Sequence, residues 1–180
     1  MAKRRFKTDL SVKGIENLKK ELLDYKNNIL QKKIEEFTVS LAERGMLVAK
    51  SKIGESPLGK YIQVRIESES VQNGKKALLI ATGDIKKSEG YEPFNILLAV
   101  EFGAGIYYNP NSNPNADKFG LGVGTFPGQI HAFEDGWYYW DEKKEKWQYT
   151  HGVKATMPMY NAEMEMMQSV VNVARNVFGK

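Results

Sequence analysis

The side chains able to do chemistry in this 180-residue chain are few and scattered. His131 stands just before Glu134 and Asp135, and His151 is the only other histidine, so two imidazoles and a carboxylate could in principle hold a divalent cation or move a proton. Nothing in their spacing places them on one helix face or strand edge, and "HAFED" ahead of Gly136 reads as a polar turn. The absence of cysteine removes thiolate metal sites, disulfide frameworks and a cysteine nucleophile together. No nucleophile elbow surrounds any serine. Gly120, Gly122 and Gly124 in "GLGVGT" look superficially like a dinucleotide fingerprint. That motif must leave a strand and open a helix, whereas Pro127 and Gly128 follow here and forbid a helix within a turn. The expectation is therefore no catalytic, cofactor-binding or metal-ligating residue, no small-molecule substrate, and a protein that is not an enzyme.

The elements that would position any such groups suggest one α+β domain over residues 1–180, an antiparallel sheet packed by two helices. "FKTDLSV" alternates Phe6, Thr8, Leu10 and Val12 with polar residues, which predicts a strand over 6–12. Beyond Gly14, Ile15, Leu18, Leu22, Tyr25 and Ile29 recur at helical spacing and, after a slip, so do Leu30, Ile34, Phe37 and Leu41. This is a long amphipathic helix over 14–53. Unbroken, it would measure about 55 Å against a compact diameter of about 40 Å, so it either breaks, at Gly45, or projects. "YIQVRIESES" and "ALLIATG", joined through Asn73-Gly74, predict a hairpin over 60–83. "FNILLAVEF" is too continuously apolar to distinguish a buried strand from a short buried helix. Residues 104–136 read as a loop rich in Gly, Asn and Pro, and 137–150 as an aromatic hairpin whose charged tip faces water. A C-terminal amphipathic helix is expected over 158–179, with Met159, Ala162, Met166, Val170, Val173 and Val177 on one face and the methionines around Met166 in the core.

Charge and loop energetics narrow the class of function. Residues 1–60 carry 14 Lys and Arg against 8 Asp and Glu, while the rest carry 12 against 14. Such a surplus suits nucleic acid or an acidic surface, but along a helix where Lys alternates with Glu it reads first as a solvated face. No run is long and apolar enough for a membrane span, and the first residues lack the apolar stretch of a signal peptide, so a soluble, cytoplasmic chain is expected. Ordering a backbone costs roughly 1–2 kcal/mol per residue. A loop such as 104–136 cannot recover that alone, and is expected to be mobile in a monomer and ordered against other chains. Strand alternation sends Trp137 and Tyr139 to one face of the hairpin and Tyr138 and Trp140 to the other, so one pair can be core and the other can meet a partner.

"AVEFGAG", a variable loop, "WYYW", then "WQYTHGVKATMPMYNA" and a terminal amphipathic helix resemble the head-tail joining, or tail-completion, proteins of long-tailed bacteriophages and prophages. The first box is Val100, Glu101, Phe102 and Gly103, with Ala104 where Thr is commoner. The second is Thr150, Gly152, Ala155 and Pro158, with Met157 and Met159 where Pro and an aromatic residue are usual. "VKGIENLKKEL" is similar to the family's opening, a Gly before a Leu-rich helix. The resemblance spans essentially the whole chain, and the loop over 104–136 departs from it in length. It implies a virion protein of the tail or neck, present in the host cytoplasm during assembly. Six copies would form a ring that contacts a neck or connector protein and tail tube or terminator proteins, with DNA passing through the lumen. Within that frame Glu101 would satisfy exposed backbone donors or pair with a basic group, Phe102 would anchor in the core, and Gly103 would permit a turn at the loop base. Trp137, Tyr138, Trp140, Trp147, Gly152 and Pro158 complete the expected interface and loop-base set. The alternative is a nucleic-acid-binding module using the basic first third and the aromatic hairpin.

Overall fold

The N-terminal segment folds as a helix cap. In the computed structural model, which describes residues 5–72, 74–87, 94–105, 113, 114, 116, 136–141 and 144–179, the expected strand over 6–12 is absent. Thr8, Asp9 and Ser11, which fall on both sides of the expected alternation, instead bond locally. Thr8 Oγ1 accepts from Leu10 N, Asp9 Oδ1 from Ser11 N and Oγ, and Ser11 Oγ from Gly14 N at 3.0 Å, which makes Ser11 the N-cap of α1 (Val12–Asp24).

From α1 the backbone stays helical through a π-helical segment (Tyr25–Leu30) into α2 (Gln31–Gly54). The wider turn absorbs the slip in the apolar pattern. Gly45 does not break the helix. It lies on the buried face of α2 with Ala42, Ala49 and Ile53, where a Cβ would come within 2.9 Å of Met166 and 3.1 Å of Leu79. The glycine lets α4 (Pro158–Phe178) lie close against α2, and the helix meets the length constraint by projecting: no residue of α1 is buried.

The hairpin follows as β1 (Ile62–Val71) and β2 (Gly74–Gly83), paired from Ile62↔Gly83 to Val71↔Gly74. Ile62, Val64 and Ile66 turn toward the helices while Gln63, Arg65 and Glu67 face water. β3 (Ile85–Lys86) pairs antiparallel with β4 (Phe94–Asn95), whose Asn95 side chain caps α3 (Ile96–Phe102) by accepting from Leu98 N. β5 (Ala104–Gly105) pairs with β8 (Gly152–Val153), and the aromatic hairpin is β6 (Trp137–Asp141) with β7 (Lys146–Thr150). The fold is thus α+β, with its strands in four two-stranded antiparallel sheets among the described residues rather than in one. "FNILLAVEF" explains the difference: folded mainly as α3, it supplies no central strand to join the hairpins.

α3 is the hub of the core. Ile96 and Val100 pack with Ile53 and Ile62, and Ala99 packs with Ala104. On α4 the buried line is Ala162, Ser169, Val173 and Val177. Val170, placed in the core by its spacing, is 40 % exposed, and Met164 and Met167 also face outward, leaving Met166 as the methionine that meets α2. Among the described residues no helix is long and apolar enough to cross a membrane.

Close helix packing at Gly45 makes a sharp stability contrast. Gly45→Leu should cost about 1–3 kcal/mol by overpacking Met166 and Leu79. Gly54→Ala, where a Cβ meets nothing within 4 Å, should be neutral or gain up to about 1 kcal/mol. Urea unfolding followed by circular dichroism measures both.

Candidate functional site around Glu101

The C-terminal turn of α3 points Glu101 at the start of α4. That helix begins without a cap of its own, since Met157 at the N-cap position carries no side-chain acceptor and Pro158 at the first position has no N–H. The carboxylate of Glu101 replaces the missing cap from a different element. Its Oε2 accepts from Met159 N at 2.9 Å, and its Oε1 accepts from Tyr160 N at 3.0 Å and from Asn113 Nδ2 at 3.0 Å. The positive end of the α4 dipole adds to this attraction.

The backbone follows the same route. Val100 O accepts from Thr156 N at 2.9 Å and from Met157 N at 3.4 Å. Met157 is left-handed, with φ 49° and ψ 54°, a conformation that is costly for a side chain of its size. It is held by Val100 O on its amide and by Asn161 Nδ2, which donates to Met157 O at 2.7 Å and to Thr156 O at 3.2 Å. Two glycines close the junction. Gly103 has φ 81° and ψ 170°, a region essentially restricted to glycine. Gly152 has φ 123°, and a Cβ there would collide with the carbonyl oxygen of Ala104, its neighbour across the β5–β8 pair. Phe102 and Pro158 are both buried to within 2 % exposure. Residues 100–105 and 150–160 therefore form one continuous junction.

Burial and hydrogen bonding pull the Glu101 carboxyl in opposite directions. Withdrawal from water disfavours the charged form and raises its pKa above the ordinary 4.5; the amides of Met159 and Tyr160 and the side chain of Asn113 oppose this without cancelling it. At 6 % exposure, with both oxygens occupied, the group is arranged to fasten two segments together.

The aromatic hairpin adjoins this junction through Thr150 and Gly152, where Thr150 Oγ1 accepts from Gly152 N at 3.0 Å. Its backbone register sets Tyr138 opposite Tyr149, Trp140 opposite Trp147 and Trp137 opposite Thr150. Tyr138 is 66 % and Trp147 64 % exposed, so the Tyr138 face is turned to solvent. The rings of Tyr138 and Tyr149 pack at 5.1 Å, and Tyr149 Oη lies 3.1 Å from His151 Nε2. The side chains of Trp137, Tyr139 and Trp140 lie outside the described residues, as do His131, Glu134, Asp135, Gly120, Gly122, Gly124 and most of the 104–136 loop. Ala104 and Gly105, assigned to that loop by sequence, are strand residues because they pair with β8. Among the described residues no three His, Cys, Asp or Glu side chains gather as a metal site.

Glu101, Phe102, Gly103, Gly152 and Pro158 thus meet in one place, with the Tyr138 and Trp147 face beside them. Asn113 and Asn161 are the participants that sequence reasoning misses. Asn161 had a readable position, in the first turn of a helix lacking a cap residue; Asn113 sits in a polar run where nothing distinguishes it from its neighbours. No family model matches the chain, and no significant match arises among curated proteins or solved structures.

Glu101→Ala removes the acceptor for three donors and should cost about 2–4 kcal/mol. Gly152→Ala should cost about 2 kcal/mol or more by forcing β5 and β8 apart. The pH dependence has a defined sign. Because folding raises the Glu101 pKa, the native chain binds the proton more tightly than the unfolded chain. The stability tied to that proton is full below pH 4.5 and is lost as pH rises through the raised value. Plotted against pH, the stability of the wild type relative to Glu101→Gln should fall across that window and level off above it.

Proposed function

We propose that this chain is a non-enzymatic structural subunit that assembles in several copies into a ring and joins a phage head, through its neck, to the tail. One observation carries the reading: the two segments that resemble the head-tail joining boxes, far apart in sequence, converge on the Glu101 carboxylate. In a joining protein such a junction would fix the base of the 104–136 loop and of the aromatic hairpin, so that both present themselves to neighbouring chains. The projecting α1 and the outward Tyr138 and Trp147 support the same reading, since aromatic side chains are favoured at protein interfaces. Neck or connector proteins and tail tube or terminator proteins would be the partners, DNA would pass through the ring without being read, and the virion tail would be the destination.

A second reading, a nucleic-acid-binding module, draws on the exposure of Tyr138, Trp147 and Tyr149, on which bases could stack. It requires the free chain to bind DNA with a steep salt dependence. The joining role requires weak binding by the free chain.

Particles produced without this chain, imaged by negative stain, should appear as separate filled heads and complete tails. Supplying the wild-type chain should restore joined particles, and supplying Glu101→Ala should not. Normally joined particles in its absence contradict the proposal.

A further inference from the structure

We infer that α1 of one copy docks into the groove between α2 and α4 of a second copy, making a head-to-tail contact. The inference shares with the proposed function only the premise that copies of the chain associate, and does not need the joining role.

The donor surface is the apolar face of α1. Ile15, Leu22 and Leu23 are 45–51 % exposed there, with Leu18 beside them, and Lys19 and, just past the end of α1, Lys26 rise between the Ile15–Leu22 line and Leu23. Phe6 packs edge-on against Tyr25 at the far end of this helix and leaves that face open. The receiving surface is a groove of about 630 Å³ between α2 and α4. It is floored by Val48, Val173 and Val177, bordered by the 68 % exposed Leu47, and edged by Glu36 and Glu43. A third acid, Glu165, already faces Arg44 at 3.8 Å.

Three observations select a second copy as the occupant. First, α1 and α2 belong to one continuous helix, so α1 leads away from its own groove and cannot fold back into it. Second, the charges are complementary and in step. Lys19 and Lys26 lie seven residues apart, as do Glu36 and Glu43, and each pair spans about 10 Å of helix. None of the four makes an ion pair within the chain among the described residues. Pairing α1 with α1 would instead set the lysines of the two apolar faces against each other. Third, a 13-residue helix buries an area at the low end of specific interfaces. A contact in which every copy both gives and receives a helix gains the remainder by closing a ring.

The absence of cysteine gives a clean test. Full-length Leu22→Cys and Leu47→Cys chains are mixed and oxidised, and their helix content is checked by circular dichroism. The mixture should yield a disulfide-linked dimer that neither variant forms alone. Adding Lys19→Glu and Lys26→Glu to the first chain should cut the yield about tenfold or more, and adding Glu36→Lys and Glu43→Lys to the second should restore it. Three results overturn the inference: no mixed dimer at any attainable concentration, a Leu22→Cys chain that links to itself as well as to its partner, or a yield indifferent to the charge exchanges. A mixed dimer from a chain whose loss leaves particles joined removes the joining role alone. Separate heads and tails without a mixed dimer remove this contact alone.

Discussion

The carboxylate of Glu101 takes the place of the first turn's missing cap on α4, and the rest of the structure is arranged around that substitution. A helix leaves its first amides without partners, and these must be satisfied wherever the helix start is buried. Here Met157 and Pro158 cannot provide for them, so the acceptor comes from the end of α3. The two oxygens meet N–H donors, and the cost of withdrawing the charge from water is offset in part by donors fixed in direction and by the positive end of a helix dipole. The same contact sets α4 relative to α3, and α3 is the centre of the core.

Once α4 is anchored, small residues decide how near it comes to α2. Ala42, Gly45 and Ala49 lie on the buried face of α2, and at Gly45 the absence of a side chain makes room for Met166 of α4. Beside this contact runs the groove lined by Val48, Val173 and Val177. Apolar side chains on α1, at Leu47 and at Tyr138 stay exposed outside the core. The Glu101 junction fastens the start of α4 to the end of α3; in the proposed assembly the exposed apolar surfaces would be the ones that meet neighbouring copies.

Much of this was legible in the amino-acid sequence wherever the signal was local. The β1–β2 hairpin, the aromatic hairpin and α4 follow from period and turn chemistry, and even the slip at Leu30 marked the π-helical segment. Misreadings came where one pattern served two structures. Phe6, Thr8, Leu10 and Val12 alternate with Lys7, Asp9 and Ser11 like a strand, yet the side chains of Thr8, Asp9 and Ser11 bond to the nearby backbone and cap a helix. Gly45 has the residue type of a helix break, but the neighbour that requires it, Met166, is far along the chain. Val170 falls on the helical period of the α4 core, yet the stripe turned toward α2 passes through Ser169 instead. Glu101 could be singled out, and backbone donors were one of its two expected partners; Asn113 could not, because its place in the site depends wholly on tertiary folding.

Amide hydrogen exchange on the full chain, at low and at high protein concentration, tests most directly whether a fixed junction presents surfaces that only neighbours complete. The amides of Met159 and Tyr160 should be among the slowest to exchange at both concentrations. Those of α1, the projecting end of the continuous α1–α2 helix with no buried residue, should exchange fast in dilute solution and slow markedly as the concentration rises. Rapid exchange at Met159 and Tyr160, or an α1 already protected in the dilute monomer, would contradict the account.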